Sequence, residues 1–137
     1  MNDRDKMIVQ HISRYCDEIY AAIEHFGDSR EAFLGDPVYR NAVSMPIEQI
    51  GELAKHLSDA FQQQYSEIPW KQIKGMRTWF AHQYLNMDKD VIWEVMHEGI
   101  PPLADFCDDL LMQDEPDKTY GPYDTAEEAV AAMLDDD

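Results

Sequence analysis

One stretch of the sequence combines residue types that suit chemistry on a phosphate. Residues 75–84 read Gly-Met-Arg-Thr-Trp-Phe-Ala-His-Gln-Tyr, so Arg77 precedes His82 by five positions and Tyr84 by seven. Arginine keeps its charge and offers forked donors that fit a phosphate, and histidine accepts and returns a proton near neutral pH. Tyr84 adds a hydroxyl that can bind a phosphate or itself be modified. Such a set suits phosphodiester cleavage without a metal, in which a cation stabilises the crowded phosphorane.

Helical geometry limits how these three side chains can meet. On a straight helix His82 lies about 140° from Arg77, whereas Tyr84 returns to the arginine's face. Either the helix unwinds before His82, or a two-fold partner brings its own motif alongside, which would supply one histidine as base and another as acid. By itself an Arg-x4-His pair also arises by chance, and a histidine at a helix end often only caps carbonyls.

Four linked segments resemble the HepT-like proteins, a branch of the HEPN superfamily. In chain order these are Ile50-Gly51-Glu52, the turn Tyr-Ser-Glu-Ile-Pro-Trp at 65–70, the Gly-Met-Arg lead-in to Arg-x4-His-x-Tyr, and Asp88 followed by Ile92-Trp93. The resemblance extends from about Ile8 to Leu111 and so covers most of the chain. A lone Arg-x4-His pair is a weak signal, whereas four segments in the family's order are fairly specific.

This resemblance implies a ribonuclease toxin that acts on RNA as a homodimer. The family's arginine and histidine match Arg77 and His82. Members are encoded beside a small nucleotidyltransferase antitoxin, and in some of them that partner transfers AMP to the motif tyrosine, which matches Tyr84. Negative charge added there would block the cleft by repulsion and bulk. No metal-ligand spacing accompanies the motif, so we expect neither a metal nor another cofactor.

Three other positions bear on the site. The residue after the motif arginine is commonly Asn or Asp in this family, whereas this chain has Thr78, whose hydroxyl can hydrogen-bond but cannot replace an amide or carboxylate. This departure bears on the rate of catalysis more than on the fold. Gly51, inside a helix, lets another helix approach closely. Glu52 either orients Arg77 or is a surface glutamate, and the sequence does not separate these alternatives.

The apolar pattern predicts an all-α fold, an antiparallel bundle of four to five helices with short connections. We expect helices over 5–26, from Pro37 to about Phe61, from Trp70 to about His82, and after Asp88. Pro46 predicts a bend in the second of these, or two helices that abut at Ser44, and Pro101-Pro102 predicts a kink or break in the last. A short helical turn is expected over 30–34.

Charge divides the chain into two parts, a helical bundle at 1–112 and an acidic tail at 113–137. The formal net charge is −17, which argues against a general nucleic-acid coat protein but not against an enzyme with one small basic cleft. On composition we expect the tail to be a solvated, partly disordered segment, in which Thr125 and the residues after it could begin a short terminal helix. The alternative is that Val130, Met133 and Leu134 dock the tail on the bundle, where its charge would screen the cleft. Unchanged activity and RNA affinity after truncation at Gln113 would contradict that alternative.

The remaining reactive or aromatic residues have structural interpretations. Cys16 and Cys107 lie in helical patterns without metal or redox spacing, so we expect buried thiols in a reducing cytoplasm. The histidines outside the motif are expected to be surface or capping residues, and the three tryptophans to pack in the core rather than to stack on bases. The chain has no run of 18 apolar residues, and we expect no association with a membrane.

Two other functions fit the same sequence. In the first, the bundle is a catalytically weak or inactive interaction module that partners a nucleotidyltransferase and accepts AMP on Tyr84. In the second, it is a helical dimerisation domain without nucleotide chemistry, which the acidic charge favours and the clustered motif disfavours. RNA cleavage lost in Arg77→Ala and His82→Ala would separate the enzyme from both.

Overall fold

The computed structural model describes the backbone of residues 1–83 and 89–113 and the side chains of residues 1–77 and 89–113. Within these ranges all regular secondary structure is helical, which confirms the predicted all-α fold. The acidic tail and residues 84–88 lie outside the described residues. In chain order the helices are α1 (Asp3–Phe26), α2 (Arg30–Gly35), α3 (Pro37–Ala54), α4 (Asp59–Gln64), α5 (Trp70–Gln83), α6 (Lys89–Glu94), a π-helical turn (Val95–Gly99) and α7 (Ile100–Gln113).

Short polar side chains cap the beginnings of four of these helices. In each of these four helices a backbone N–H of the first turn donates a hydrogen bond to the side chain of the capping residue. The caps are Asn2 for α1, Ser29 for α2, Asp36 for α3 and Ser58 for α4. These caps satisfy donors that have no partner inside the helix. At the other end of α1, Gly27 has a φ of 104°, a conformation that glycine adopts without strain. The ends of α1 are therefore set by local sequence.

Helix α3 excludes one of the two alternatives predicted for Pro46, and its end differs from the prediction. It continues through Pro46, so the chain does not divide into two helices at Ser44. It also ends at Ala54 instead of extending to Phe61, because Ser58 begins the separate short helix α4. Leu57 and Phe61 are nevertheless both buried, since the turn between α3 and α4 folds back onto the same core.

The last helical segment is interrupted just before its two prolines. Pro101 and Pro102 have no N–H to donate to the carbonyls of His97 and Glu98, and their rings would crowd those carbonyls in a regular α-helix. The chain widens into the π-helical turn Val95–Gly99, and the N–H of Ile100 bonds to the carbonyl of Val95, five residues back. The expected interruption of the helix is thus present, and it lies about one turn before the two prolines.

The core forms where α3 packs against α1 on one side and α5 on the other, while α7 packs on α1. Trp70 is buried and Trp93 packs partly buried against the core, as expected; the side chain of Trp79 lies outside the described residues. The largest fully buried side chains come mainly from α1, α3 and the α6–α7 segment: Ile8, Ile12, Ile19, Phe33, Tyr39, Ile47, Ile50, Ile92, Met96 and Ile100. The packing places α3 at the centre of the bundle.

Some polar groups are also buried. Asp5 accepts hydrogen bonds from the backbone N–H of Ser58 at 2.9 Å and from its hydroxyl at 2.6 Å, which ties the start of α1 to the cap of α4. His11 is 4% exposed, so the expectation of a surface or capping histidine is wrong there, because the α1 face that faces the core is wider than its stripe of isoleucines. Cys16 and Cys107 are free and buried, as predicted. Among the described helices, none is both long and apolar enough to cross a membrane.

Candidate active site

The candidate site forms where α3 crosses α5, and a glycine sets the closeness of that crossing. A β-carbon built on Gly51 would lie 2.9 Å from the backbone nitrogen of Arg77 and 2.9 Å from the carbonyl oxygen of Ile73. Cβ atoms do not occupy such positions, so any larger residue would push the helices apart. The prediction that Gly51 permits close helix approach is confirmed, and the helix that approaches is the one that contains Arg77.

The next residue of α3 makes an ion pair with the motif arginine. Glu52 Oε2 lies 2.5 Å from Arg77 Nε. This oxygen is buried, and its contact with Arg77 is an ion pair without a hydrogen bond. The side chain of Glu52 is 34% exposed and that of Arg77 is 43% exposed, so the pair remains partly open to solvent. Of the two alternatives for Glu52, the structure shows the carboxylate paired with Arg77.

Two further basic groups surround the same carboxylate. Lys55 Nζ lies 3.5 Å from Glu52 Oε2, and His56 Nε2 lies 3.7 Å from Oε1. Lys55 and His56 follow Glu52 by three and four residues at the end of α3, the spacing that brings helical side chains together. Sequence reasoning set His56 aside because it has no metal-ligand spacing. Its spacing from Glu52 was the signal that could have placed it beside the site.

The pairing leaves part of the arginine available to a ligand. Glu52 engages Nε, and within the described part of the chain Nη1 and Nη2 make no ion pair. A guanidinium that is held by one nitrogen still presents donors with the forked geometry that fits a phosphate. Glu52 therefore fixes Arg77 without using all of its donors.

The backbone, but not the side chains, locates other predicted site residues. Helix α5 extends from Trp70 to Gln83 without a break, so Thr78 and His82 are helical and the chain does not unwind before His82. On this continuous helix His82 is about 140° from Arg77 around the axis. The side chains of Thr78 and His82, and all of Tyr84, lie outside the described residues. Of the five predicted site residues, the structure brings Glu52 and Arg77 together and leaves the other three undetermined.

The charge of α5 distinguishes it from the rest of an acidic chain. It contains Lys71, Lys74 and Arg77 and no acidic residue, and no Asp or Glu occurs between Glu67 and Asp88. Each of the other α-helices described is neutral or net negative. A local positive field around Arg77 attracts a phosphodiester even where the distant field repels it. In the described residues no group of three or more His, Cys, Asp or Glu side chains is arranged to hold a metal.

Comparison with known proteins identifies a family for this chain. The family model described as "Ribonuclease HepT-like" matches residues 12–110, about the whole described bundle. A protein of Caldanaerobacter subterraneus subsp. tengcongensis named "Putative RNase" is 33% identical over 107 residues, which are 78% of this chain and 94% of that protein. The "Probable ribonuclease HepT" of Thermococcus cleftensis is 34% identical over 94 residues, 65% of this chain and 86% of the relative.

More distant relatives extend the same pattern. A protein of Methanocaldococcus jannaschii, also named "Putative RNase", is 31% identical over 104 residues. These residues are 75% of this chain and 84% of the relative. No solved structure matches the chain. The family match spans the α3–α5 crossing at Gly51, Glu52 and Arg77, and the resemblance seen in the sequence is confirmed: this chain belongs to the HepT-like ribonuclease family of the HEPN superfamily.

Proposed function

We propose that this chain is the toxin of a toxin–antitoxin pair, an endoribonuclease that cleaves RNA without a metal. The observation on which the proposal rests is the ion pair between Glu52 and Arg77, which holds a phosphate-binding group on the one described helix with net positive charge. The names of the relatives supply the reaction class, because one is named "Putative RNase" and another "Probable ribonuclease HepT". The arrangement supplies the group that such a reaction needs most, a cation fixed in advance.

In the proposed reaction Arg77 neutralises the charge that develops on the scissile phosphate. A base removes the proton of the adjacent ribose 2′-hydroxyl, whose oxygen attacks the phosphorus while the bond to the 5′-oxygen breaks. An acid returns a proton to that leaving oxygen. Donors that are oriented before the reaction stabilise the transition state without reorganising during it, and the loss of one such donor costs about 10²–10³ in rate.

His82 is proposed as the proton carrier, and a homodimer as the form that completes the site. Because α5 remains helical through position 82, positions 77 and 82 of one chain lie about 140° apart around the helix axis. A two-fold partner would place a second motif opposite the first and provide separate imidazoles for base and acid. Chemical cross-linking and analytical ultracentrifugation should therefore show a dimer under the conditions in which RNA is cleaved.

The proposed antitoxin is a nucleotidyltransferase that transfers AMP to Tyr84. An adenylyl group on Tyr84 would add negative charge and bulk that block the proposed cleft against the RNA phosphate. Co-expression with such a partner should raise the intact mass by one or more adenylyl groups, and Tyr84→Phe should abolish the increase. Thr78 favours one alternative, in which the bundle is a weak or inactive partner of the transferase; that alternative predicts AMP transfer without RNA cleavage.

The deciding experiment measures cleavage of RNA by the purified full chain, free of partner, in the presence of a chelator. We expect cleavage by the wild-type chain and losses of at least about 10²-fold in Arg77→Ala and His82→Ala. Circular dichroism of each variant establishes that it is folded. Equal cleavage by the three proteins would remove the assignment of these residues, and no cleavage by the wild-type chain would leave only the partner function.

A further inference from the structure

A second cation of α5, one helical turn before Arg77, is held in place by a neighbouring helix. Lys74 Nζ donates a hydrogen bond to Gln62 Oε1 at 2.8 Å. Gln62 is itself fixed, because its Nε2 donates to the carbonyl oxygen of Leu57 at 2.9 Å. A chain of two hydrogen bonds therefore runs from the turn before α4 to the ammonium of Lys74, and it determines which way the amide of Gln62 faces.

This arrangement leaves the lysine able to bind an anion. An ammonium has three donors, and Gln62 is the one partner of Lys74 in the part of the chain that the structure describes. Gln62 is neutral, so the full positive charge remains available. This differs from Arg77, whose Nε is paired with the carboxylate of Glu52.

Lys71, Lys74 and Arg77 follow one another at intervals of three residues, so each is a neighbour of the next on the helix surface. Successive members rise by about 4.5 Å along the axis, and the flexible four-carbon stems of the lysines allow their ammonium groups to spread further apart. Lys71 is exposed, and within the described residues it has no ion pair. The three cations form an oblique row toward the beginning of α5, in which Lys74 lies about 60° and Lys71 about 120° around the helix axis from Arg77.

We propose that Lys74, positioned by Gln62, binds a phosphate of the RNA strand next to the one held by Arg77, and that Lys71 extends this row. The inference rests on the proposed ribonuclease function and adds to it the direction in which the substrate strand crosses the protein, along α5 from Arg77 toward Trp70. It assigns Lys74 to substrate binding and Gln62 to positioning, with no part for either in proton transfer.

The test measures binding of a single-stranded RNA oligonucleotide at several salt concentrations, in a His82→Ala background so that the strand stays intact. Each phosphate contact on a single strand contributes about 0.7 to the slope of log K against log salt. We expect Lys74→Ala to lower the slope by about 0.7, so that its affinity changes about 2.6-fold less than that of the parent between 50 and 200 mM salt. Lys74→Arg should retain the slope, because it retains the charge.

Gln62→Ala separates positioning from a general effect on the fold. It removes no charge, so we expect weaker binding with an unchanged salt slope, and in cleaving protein a higher KM with kcat nearly unchanged. Arg14→Gln on α1 is the matched control, since it removes one positive charge away from α5 and should alter neither slope nor KM. Thermal melts identify any variant that is misfolded, and Lys74→Gln then replaces Lys74→Ala.

The outcomes distinguish this inference from the function on which it rests. Cleavage by the wild-type chain, together with an unchanged slope in Lys74→Ala, overturns the assignment of Lys74 and leaves the ribonuclease in place. An equal fall in slope in Arg14→Gln also overturns it, because the effect would then belong to net charge. A protein that neither binds nor cleaves RNA would contradict both proposals.

Discussion

Gly51 and Arg77 touch through their backbones, since a β-carbon on the glycine would lie 2.9 Å from the arginine's amide nitrogen. Two consecutive residues of α3 therefore contact Arg77 in different ways. Gly51 sets the distance between the helices, and Glu52 uses that distance to reach Nε of Arg77. The position of the guanidinium is therefore a consequence of how closely α3 and α5 pack.

The first prediction concerns Gly51→Ala. The added methyl group would meet backbone atoms of Ile73 and Arg77, which cannot rotate away. We expect the free energy of unfolding to fall by about 1–3 kcal/mol, as in other overpacked cores, and RNA cleavage to fall with it because Arg77 moves. Urea denaturation and a cleavage assay measure the two effects.

Gly75→Ala on α5 is the matched control for that variant. No described atom lies within 4 Å of a β-carbon at Gly75. Alanine is the better helix former by about 1 kcal/mol, so this variant should be as stable as the wild type or more so. If Gly51→Ala were equally well tolerated, the close crossing would not be needed for the fold.

The second prediction concerns Glu52→Gln. Because both side chains of the pair are partly exposed, its loss should cost less than about 1 kcal/mol of stability. The guanidinium would lose its anchor, and a misplacement of about 1 Å can cost 10²-fold in rate. We expect cleavage to fall by about 10- to 100-fold while the urea midpoint hardly changes.

Glu48→Gln provides the comparison one turn earlier on α3. Within the described residues Glu48 makes no ion pair, so removal of its charge should leave cleavage near the wild-type rate. Equal losses of activity in Glu48→Gln and Glu52→Gln would show that the acidic charge of α3 matters and the contact with Arg77 does not.

The third prediction concerns pH and His11. Burial lowers the pKa of His11 to about 4, with a smaller contribution from the nearby charge of Arg14. In the unfolded chain the pKa is about 6.5. Above about pH 6.5 the His11 imidazole is neutral in both the folded and the unfolded chain. As the pH falls toward 4, it takes up a proton in the unfolded chain but not in the folded chain. The free energy of unfolding should therefore fall by up to about 3 kcal/mol across this window.

Urea denaturation at pH 7 and at pH 4.5 measures this contribution as a difference between proteins. His11→Gln should lose less stability over that interval than the wild type, since its side chain does not titrate. The exposed His25 serves as the control, and His25→Gln should keep the wild-type dependence. An identical dependence in all three proteins would contradict the buried neutral state of His11.

The fourth prediction concerns the two thiols. Burial raises the pKa of Cys16 to about 12, with added repulsion from Asp17 and Asp108, and burial also raises the pKa of Cys107. The thiolate is the reactive form, so at pH 8 its fraction at Cys16 is roughly a thousandfold below that of an ordinary thiol. Iodoacetamide should leave the native chain unmodified and add two groups in urea, as measured by intact mass. Rapid modification of the native protein would show that the α1–α7 contact opens.

Much of the fold followed from local rules. The intervals of three and four between apolar residues located α1, α3 and α5, and Pro37 marked the beginning of α3. The end of α3 was misplaced because the stripe that contains Leu57 and Phe61 keeps its period across the turn at 55–58. Periodicity records which residues are buried, and it does not record whether one helix or two bury them.

The sequence by itself determined the family, the all-α fold class and the order of Gly51, Glu52, Arg77 and His82 along the chain, because apolar period and motif spacing are local properties. Only the tertiary structure decided that Glu52 reaches Arg77, that Gln62 holds Lys74 and that His11 is buried. These contacts join residues on different helices or depend on which helix faces meet. That choice is made by the packing of the whole bundle, with α3 between α1 and α5, and no short segment of the chain contains it.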